Sequence, residues 1–268
     1  MVYSEEMGHT TLDSIKSLFS DAWDLYQKRA AEFAEILLAP VALIVASDIL
    51  RVQGFPFKDI AMVLGIAGWI LFIIAWPGLI HSIDRKTNID ESYSVGATLF
   101  FPLIWLIILM AVTTLGGMVM LIIPGIFLSI SLVFSQYMLV LEGRRGSDAL
   151  SQSREYIKGY WWAVFGRVLL LGIVTFALYV IVSIPFSGLF GITGSRVISD
   201  ILLLIIVPFS ASYYYIIYKN LKILKPELHS HHEVPHNTFI TVAQVVGIVV
   251  LVVIALAIIL ALQAHGFQ

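Results

Sequence analysis

No cysteine occurs among the 268 residues. That excludes disulfides, thiolate metal sites and cysteine nucleophiles, and leaves the redox compartment open. Charge is scarce too. Only 13% of residues are Asp, Glu, Lys or Arg, against about 25% in ordinary soluble proteins, too few to cover the surface of a water-soluble domain this long. The Walker loop, the Rossmann fingerprint, H-E-x-x-H and the G-x-S-x-G elbow are all missing, and the polar loops are too short to house a soluble catalytic domain. No enzyme chemistry, bound cofactor or nucleic-acid partner is expected. Met1 to Thr11 are polar, with Glu5 and Glu6, so no cleavable signal peptide is expected either.

What is abundant is apolar: 59% of residues are hydrophobic, with a mean hydropathy of +0.92. They fall into seven stretches, at 33–52, 59–83, 99–115, 118–141, 160–183, 198–221 and 239–263, each near the ~20 residues that a bilayer crossing requires. The chain therefore reads as an all-α polytopic membrane protein: a segment 1–32, a six-span core 33–222, a polar linker 223–238 and a seventh span 239–263. Gly116-Gly117 reads as the turn between the third and fourth spans.

The basic residues orient these spans. Lys16, Lys28, Arg29, Arg85, Lys86, Arg144, Arg145, Arg154, Lys158, Arg167, Lys219, Lys222 and Lys225 fall on one side, and only Arg51, Lys58 and Arg196 on the other. Lys and Arg accumulate on the cytoplasmic side, which predicts the N-terminus inside and the C-terminus outside. Tyr160, Trp161, Trp162, Tyr213, Tyr214, Tyr215 and Tyr218 fall near the same side, where amphipathic rings anchor helices at the interface.

The first three helical hairpins share a plan. Each follows an amphipathic stretch: Leu12, Ile15, Leu18, Phe19, Ala22, Trp23, Tyr26 and Phe33 in the first, and Ile89, Tyr93, Gly96, Ala97 and Phe100 in the second. In the third, Ala149, Leu150, Ser153, Tyr156, Ile157 and Tyr160 lie opposite Asp148, Gln152, Arg154, Glu155 and Lys158, with Ser147 as expected N-cap. Such helices are expected in the headgroup plane, apolar side down. The returning spans carry Pro77, Pro124 and Pro208, read either as kinks around a cavity or as ordinary membrane-helix prolines. In the seventh span, Ala243/Gly247 and Ala257/Ala261 are small pairs that permit close packing, including a homo-oligomer.

Few polar residues are placed for chemistry. Arg167 lies about a turn and a half inside the fifth span; it reads as an anionic-headgroup ligand, an ion-pair partner of Glu142, or a side chain that snorkels to the headgroups. Asp48, Asp200 and His81 sit near span ends. Gln136, Ser129, Ser131 and Ser135 stripe the fourth span, a pattern suited to hydrogen bonding between helices. His229, His231, His232 and His236 cluster in the linker, but their spacing matches no structural zinc pattern, so no metal site is expected.

Pro124-Gly125-Ile126-Phe127-Leu128, Tyr137 to Glu142, Ala149-Leu150-x-x-Ser153, and Tyr156-Ile157-Lys158-Gly159-Tyr160-Trp161-Trp162 through Phe165 follow one another in order. With Ala22 to Lys28 and Tyr218 to Lys222, this order resembles a superfamily of six-helix bacterial and archaeal membrane proteins. Its members include the membrane domain attached to some glycerophosphoryl diester phosphodiesterases, the YciC-like proteins and the DUF975 proteins. The resemblance covers roughly residues 12–222. It singles out Tyr137, Ser153, Tyr156, Lys158 and Gly159, and implies a six-helix core in a prokaryotic cytoplasmic membrane. It carries over no phosphodiesterase activity, which belongs to a separate soluble domain. Two roles fit these features: a non-enzymatic module that organises partners or engages lipid headgroups, or a transporter or channel for a lipid-like or small apolar solute.

Overall fold

The computed structural model describes residues 11–53, 56–229 and 237–265. Those residues form helices and no strand. Seven helices or helix arms are long and apolar enough to cross a bilayer: Ile15–Val52, Phe57–Asp84, Ile89–Met120, Ile122–Glu142, Trp161–Gly191, Thr193–Leu224 and Thr238–Leu260. The chain is an all-α polytopic membrane protein.

The elements are α1 (Ile15–Val52), α2 (Phe57–Asp84), α3 (Ile89–Met120), α4 (Ile122–Ser131), α5 (Ser135–Glu142), α6 (Gly146–Ile157), α7 (Trp161–Leu224), a short 3-10 helix (Pro226–His229) and α8 (Thr238–His265). Two arms make up α7, which breaks at Gly191, where φ is 69°. Contacts divide the chain into two compact units. One comprises the chain up to Phe101 with Trp162–Pro226, and the other Pro102–Trp161 with the chain from Glu227.

The first unit contains α1, α2, the start of α3 and nearly all of α7. Ser14 starts α1: it is extended (φ -61°, ψ 151°), and its side chain accepts the Ser17 N–H at 3.2 Å. The helix then runs 38 residues without interruption, about 57 Å at 1.5 Å per residue, well beyond the ~30 Å of hydrocarbon. The expected flat helix ahead of the first span is thus the near end of the span itself. Protein covers part of its apolar stripe: Leu18, Ala22 and Phe33 are fully buried, and the Phe19 ring lies 4.8 Å from that of Tyr213, while Ile15 and Trp23 stay exposed. The second amphipathic stretch likewise continues into its span, as α3. Packing of α2 on α3 is backbone-close, since a Cβ on Gly96 would fall 1.8 Å from the Ile74 carbonyl oxygen.

The tyrosines expected at the headgroups are largely inside this unit. Tyr213, Tyr215 and Tyr218 are buried, and the Tyr215 hydroxyl donates to Asp84 at 2.6 Å. A 3.6-residue period puts Tyr215 and Tyr218 on one helix face and Tyr213 on another, but does not say whether lipid or protein covers either. Trp162, by contrast, is 77% exposed.

The second unit contains the rest of α3 with α4, α5, α6, most of the 3-10 helix and α8. Its first turn lies elsewhere than expected. Helix α3 passes through Gly116-Gly117 and ends at Met120, and the chain reverses at extended Leu121 (φ -169°, ψ 150°). The two glycines serve packing instead. A Cβ on Gly116 would meet the Ala243 carbonyl oxygen at 1.8 Å, and one on Gly247 would meet that of Val112 at 2.2 Å. The Ala243/Gly247 pair therefore seats α8 on α3 of the same chain. Past this crossing, α8 is exposed on all sides from Leu251 to Leu260. Pro124 is the third residue of α4, a first-turn position where the missing N–H has no helical acceptor to lose. It marks a helix start, whereas Pro77 and Pro208 lie within helices.

Candidate functional site

The fourth span is interrupted. Helix α4 ends at Ser131, a turn occupies residues 132–134, and α5 begins at Ser135. Val133 N–H takes the Ile130 carbonyl at 3.2 Å and Ser135 N–H takes that of Leu132 at 3.0 Å. This three-residue pattern displaces two groups from their usual helical partners, the Phe134 N–H and the Ser131 carbonyl. Ser153 of α6 takes up both: its Oγ accepts from Phe134 N–H at 3.2 Å, and its hydroxyl donates to the Ser131 carbonyl at 2.9 Å. Ser153 is fully buried, where unpaired backbone groups would be costly.

Periodicity puts α6 in this position. Ala149, Leu150, Ser153, Tyr156 and Ile157 recur at helical spacing and are all buried. The stripe expected to face lipid therefore lies against protein. Gln152, expected on the outer face, is also buried, and its amide donates to the Leu228 carbonyl at 3.4 Å. Helix α6 starts at Gly146, and its cap position is Arg145, with no side-chain bond; Ser147 is already inside the helix and does not cap it.

Tyr137, Tyr156 and Gly159 belong to the same corner. Tyr137 is buried, edge-on to Phe134 at 6.2 Å. Tyr156 donates its hydroxyl to Glu142 at 3.4 Å. Burial pushes that hydroxyl above the ordinary tyrosine range, and the neighbouring Glu142 carboxylate adds to the rise, so Tyr156 stays a donor. Gly159 turns the chain from α6 towards α7 at φ 89°, a left-handed conformation that suits glycine.

The solvent side of α6 forms a rim. A pocket of about 240 Å³ is bounded by Phe127, Ser131, Arg154, Glu155, Lys158, Trp161 and Asn237 among others. Trp161 stacks on Phe127 with 5.3 Å between ring centres and donates its indole N–H to the Phe127 carbonyl at 3.1 Å. Lys158 and Glu155 approach to 3.5 Å. Arg154 donates to Asn237 Oδ1, and its guanidinium lies 5.2 Å from the Phe239 ring centre. Burial lowers the Arg154 pKa, the Glu155 carboxylate opposing it; arginine stays charged. With Arg154 and Lys158 against Glu155, the rim carries a net positive charge.

Arg154 and Asn237 were not read from sequence as a pair. The signal for Asn237 was present, as an Asn just before an apolar run is an N-cap signature: Asn237 Oδ1 accepts the Ile240 N–H at 3.3 Å at the start of α8. Nothing in the spacing tied it to Arg154, 83 residues away.

Arg167 and Glu142 fall in different units. Arg167 Nη1 donates to the Ala163 carbonyl at 2.8 Å, and Nη2 to the carbonyls of Leu12, at 3.3 Å, and Asp13. Asn220 donates to Asp13 Oδ2 at 2.6 Å. Two side chains of α7 thus pin the segment that enters α1. Arg167→Ala is expected to free this segment, so that limited proteolysis in detergent cleaves ahead of Ser14 several times faster than in the unsubstituted protein.

His231, His232 and His236 lie outside the described residues, and His229 closes the 3-10 helix. Among the described residues no His, Asp and Glu group is arranged to hold a metal ion. No family model matches the chain, and no curated protein or solved structure matches it either.

Proposed function

We propose that this integral membrane protein engages anionic phospholipid headgroups at the α6 rim, as a binding module without catalytic activity. The observation that carries the reading is the pocket lined by Arg154 and Lys158 together with Ser131 and Trp161. A guanidinium offers five donors, so its bond to Asn237 uses only part of that capacity. Tryptophan beside cations at a helix end suits the headgroup zone, where each nearby basic residue contributes about 1 kcal/mol towards anionic lipid. The bias of Lys and Arg supports a cytoplasmic rim, with the N-terminus inside and the C-terminus outside. The resemblance to six-helix prokaryotic membrane proteins suits the same location.

The test is thermal unfolding of delipidated protein in detergent, with single lipids added back. Phosphatidate and phosphatidylglycerol should both raise the midpoint and phosphatidylcholine should not; the rise should vanish in Arg154→Gln/Lys158→Gln and survive in Arg154→Lys. A rise equal for all lipids, or unchanged in the double variant, would sink the reading.

The interrupted fourth span favours a second reading, transport of a lipid-like solute, because transporters place broken helices at their sites. Passage would require the Ser153 bridge to open. Flux of headgroup-labelled lipid across liposomes carrying the protein, absent from empty ones, would support it.

A further inference from the structure

A second pocket, of about 300 Å³, adjoins the first and shares Asn237 with it; Ser147, Asp148, Ser151, Ile240, Thr241 and Gln244 complete its lining. Two helix faces build it. Ser147, Asp148 and Ser151 recur at three- and four-residue spacing on α6, and Ile240, Thr241 and Gln244 do so on α8. Its chemistry differs from that of the cationic rim: hydroxyls, side-chain amides and one carboxylate, with no cation in the lining. Gln244 Nε2 is buried and has no acceptor among the described residues. An amide donor so placed costs about 1–3 kcal/mol until it meets an acceptor.

From this we infer that the two pockets together take the headgroup of one anionic phospholipid whose headgroup bears free hydroxyls, phosphatidylglycerol being the simplest. The inference rests on the anionic-headgroup reading and adds the selectivity. The phosphate sits in the first pocket with Arg154 and Lys158, and the polyol reaches past Asn237 into the second. Its hydroxyl oxygens accept from Gln244 Nε2, and its hydroxyl hydrogens donate to Asp148. Asp148 repels a second phosphate, which disfavours polyphosphorylated headgroups. An ethanolamine ammonium would satisfy Asp148 but offers Gln244 no acceptor. Phosphatidate lacks the hydroxyls and leaves the second pocket unused.

The experiment is native mass spectrometry of delipidated full-length protein titrated separately with phosphatidylglycerol, phosphatidylethanolamine, phosphatidate and soluble glycerol 3-phosphate. Phosphatidylglycerol is expected to bind roughly threefold to tenfold tighter than phosphatidate, the worth of one or two net hydrogen bonds. Gln244→Leu and Asp148→Asn should each shrink that margin while leaving phosphatidate binding unchanged. Equal binding of phosphatidylglycerol and phosphatidate by the unsubstituted protein, or a margin that survives both substitutions, overturns the inference. Preference for phosphatidylethanolamine also overturns it, by assigning Asp148 to an ammonium. Soluble glycerol 3-phosphate binding as tightly as the lipid overturns the membrane source of the ligand. Failure of the underlying reading has a separate signature, no anionic lipid bound in an Arg154-dependent way.

Discussion

Ser153→Ala is expected to destabilise the protein by about 2–6 kcal/mol, the cost of leaving two buried backbone groups unpaired at about 1–3 kcal/mol each. The substitution removes one oxygen, yet that oxygen accepts from Phe134 N–H and donates to the Ser131 carbonyl. Neither group has a helical substitute, because Ile130 and Leu132 already serve Val133 and Ser135. Water does not readily reach a fully buried site to take over. Thermal or denaturant unfolding in detergent reads the loss, with Ser129→Ala as the matched control: its hydroxyl bonds only within its own helix, to Ile126, at an exposed position, so it should change stability by a few tenths of a kcal/mol. Equal midpoints for the two variants would mean that Ser153 does not hold the break together.

Gly116→Leu is expected to cost about 3 kcal/mol, at the upper end of overpacking penalties. The atoms in its way are backbone, the Ala243 carbonyl oxygen at 1.8 Å and the Gly247 nitrogen at 2.8 Å from where a Cβ would stand. A side-chain neighbour could rotate aside, but here a whole helix has to move. Since the opposing Gly247 makes the reciprocal approach to Val112, the crossing as a unit should open, and α8 should become more sensitive to protease near its start. Ala257→Leu, on the exposed stretch of the same helix, should leave both midpoint and cleavage unchanged. Loss of stability in Ala257→Leu instead would point to a second copy packed on that stretch.

These two variants fall where the sequence was least legible. The seven spans could be read because hydrocarbon thickness imposes a length of ~20 apolar residues, and no folded detail is needed to see it. Turn position was not so constrained. Gly116-Gly117 looks like punctuation, but an apolar helix can carry glycines for close approach as readily as for a turn, and only Leu121's extended backbone marks the reversal. The break at 132–134 left a trace in the hydroxyl stripe of Ser129, Ser131 and Ser135, without indicating that a residue 22 positions after Ser131 would bridge it. Amphipathic period located α6 and its buried face, yet the same period describes a helix lying on lipid and one lying on protein. For the site, Lys158 and Gly159 were singled out by resemblance, while Arg154 entered only as a polar-face residue. Its partner Asn237 comes from beyond the six-span core, and such long-range pairing has no local signature.

The proposed site for an anionic phospholipid rests on the cations of α6. Native mass spectrometry of the protein extracted with its own membrane lipids tests it most directly. The predicted result is an anionic phospholipid retained at fixed stoichiometry, lost in Arg154→Gln/Lys158→Gln and kept in Arg167→Ala, whose guanidinium is bonded to the protein's own carbonyls. Retention unaffected by the double substitution but abolished by Arg167→Ala would contradict the account and move the headgroup site to α7.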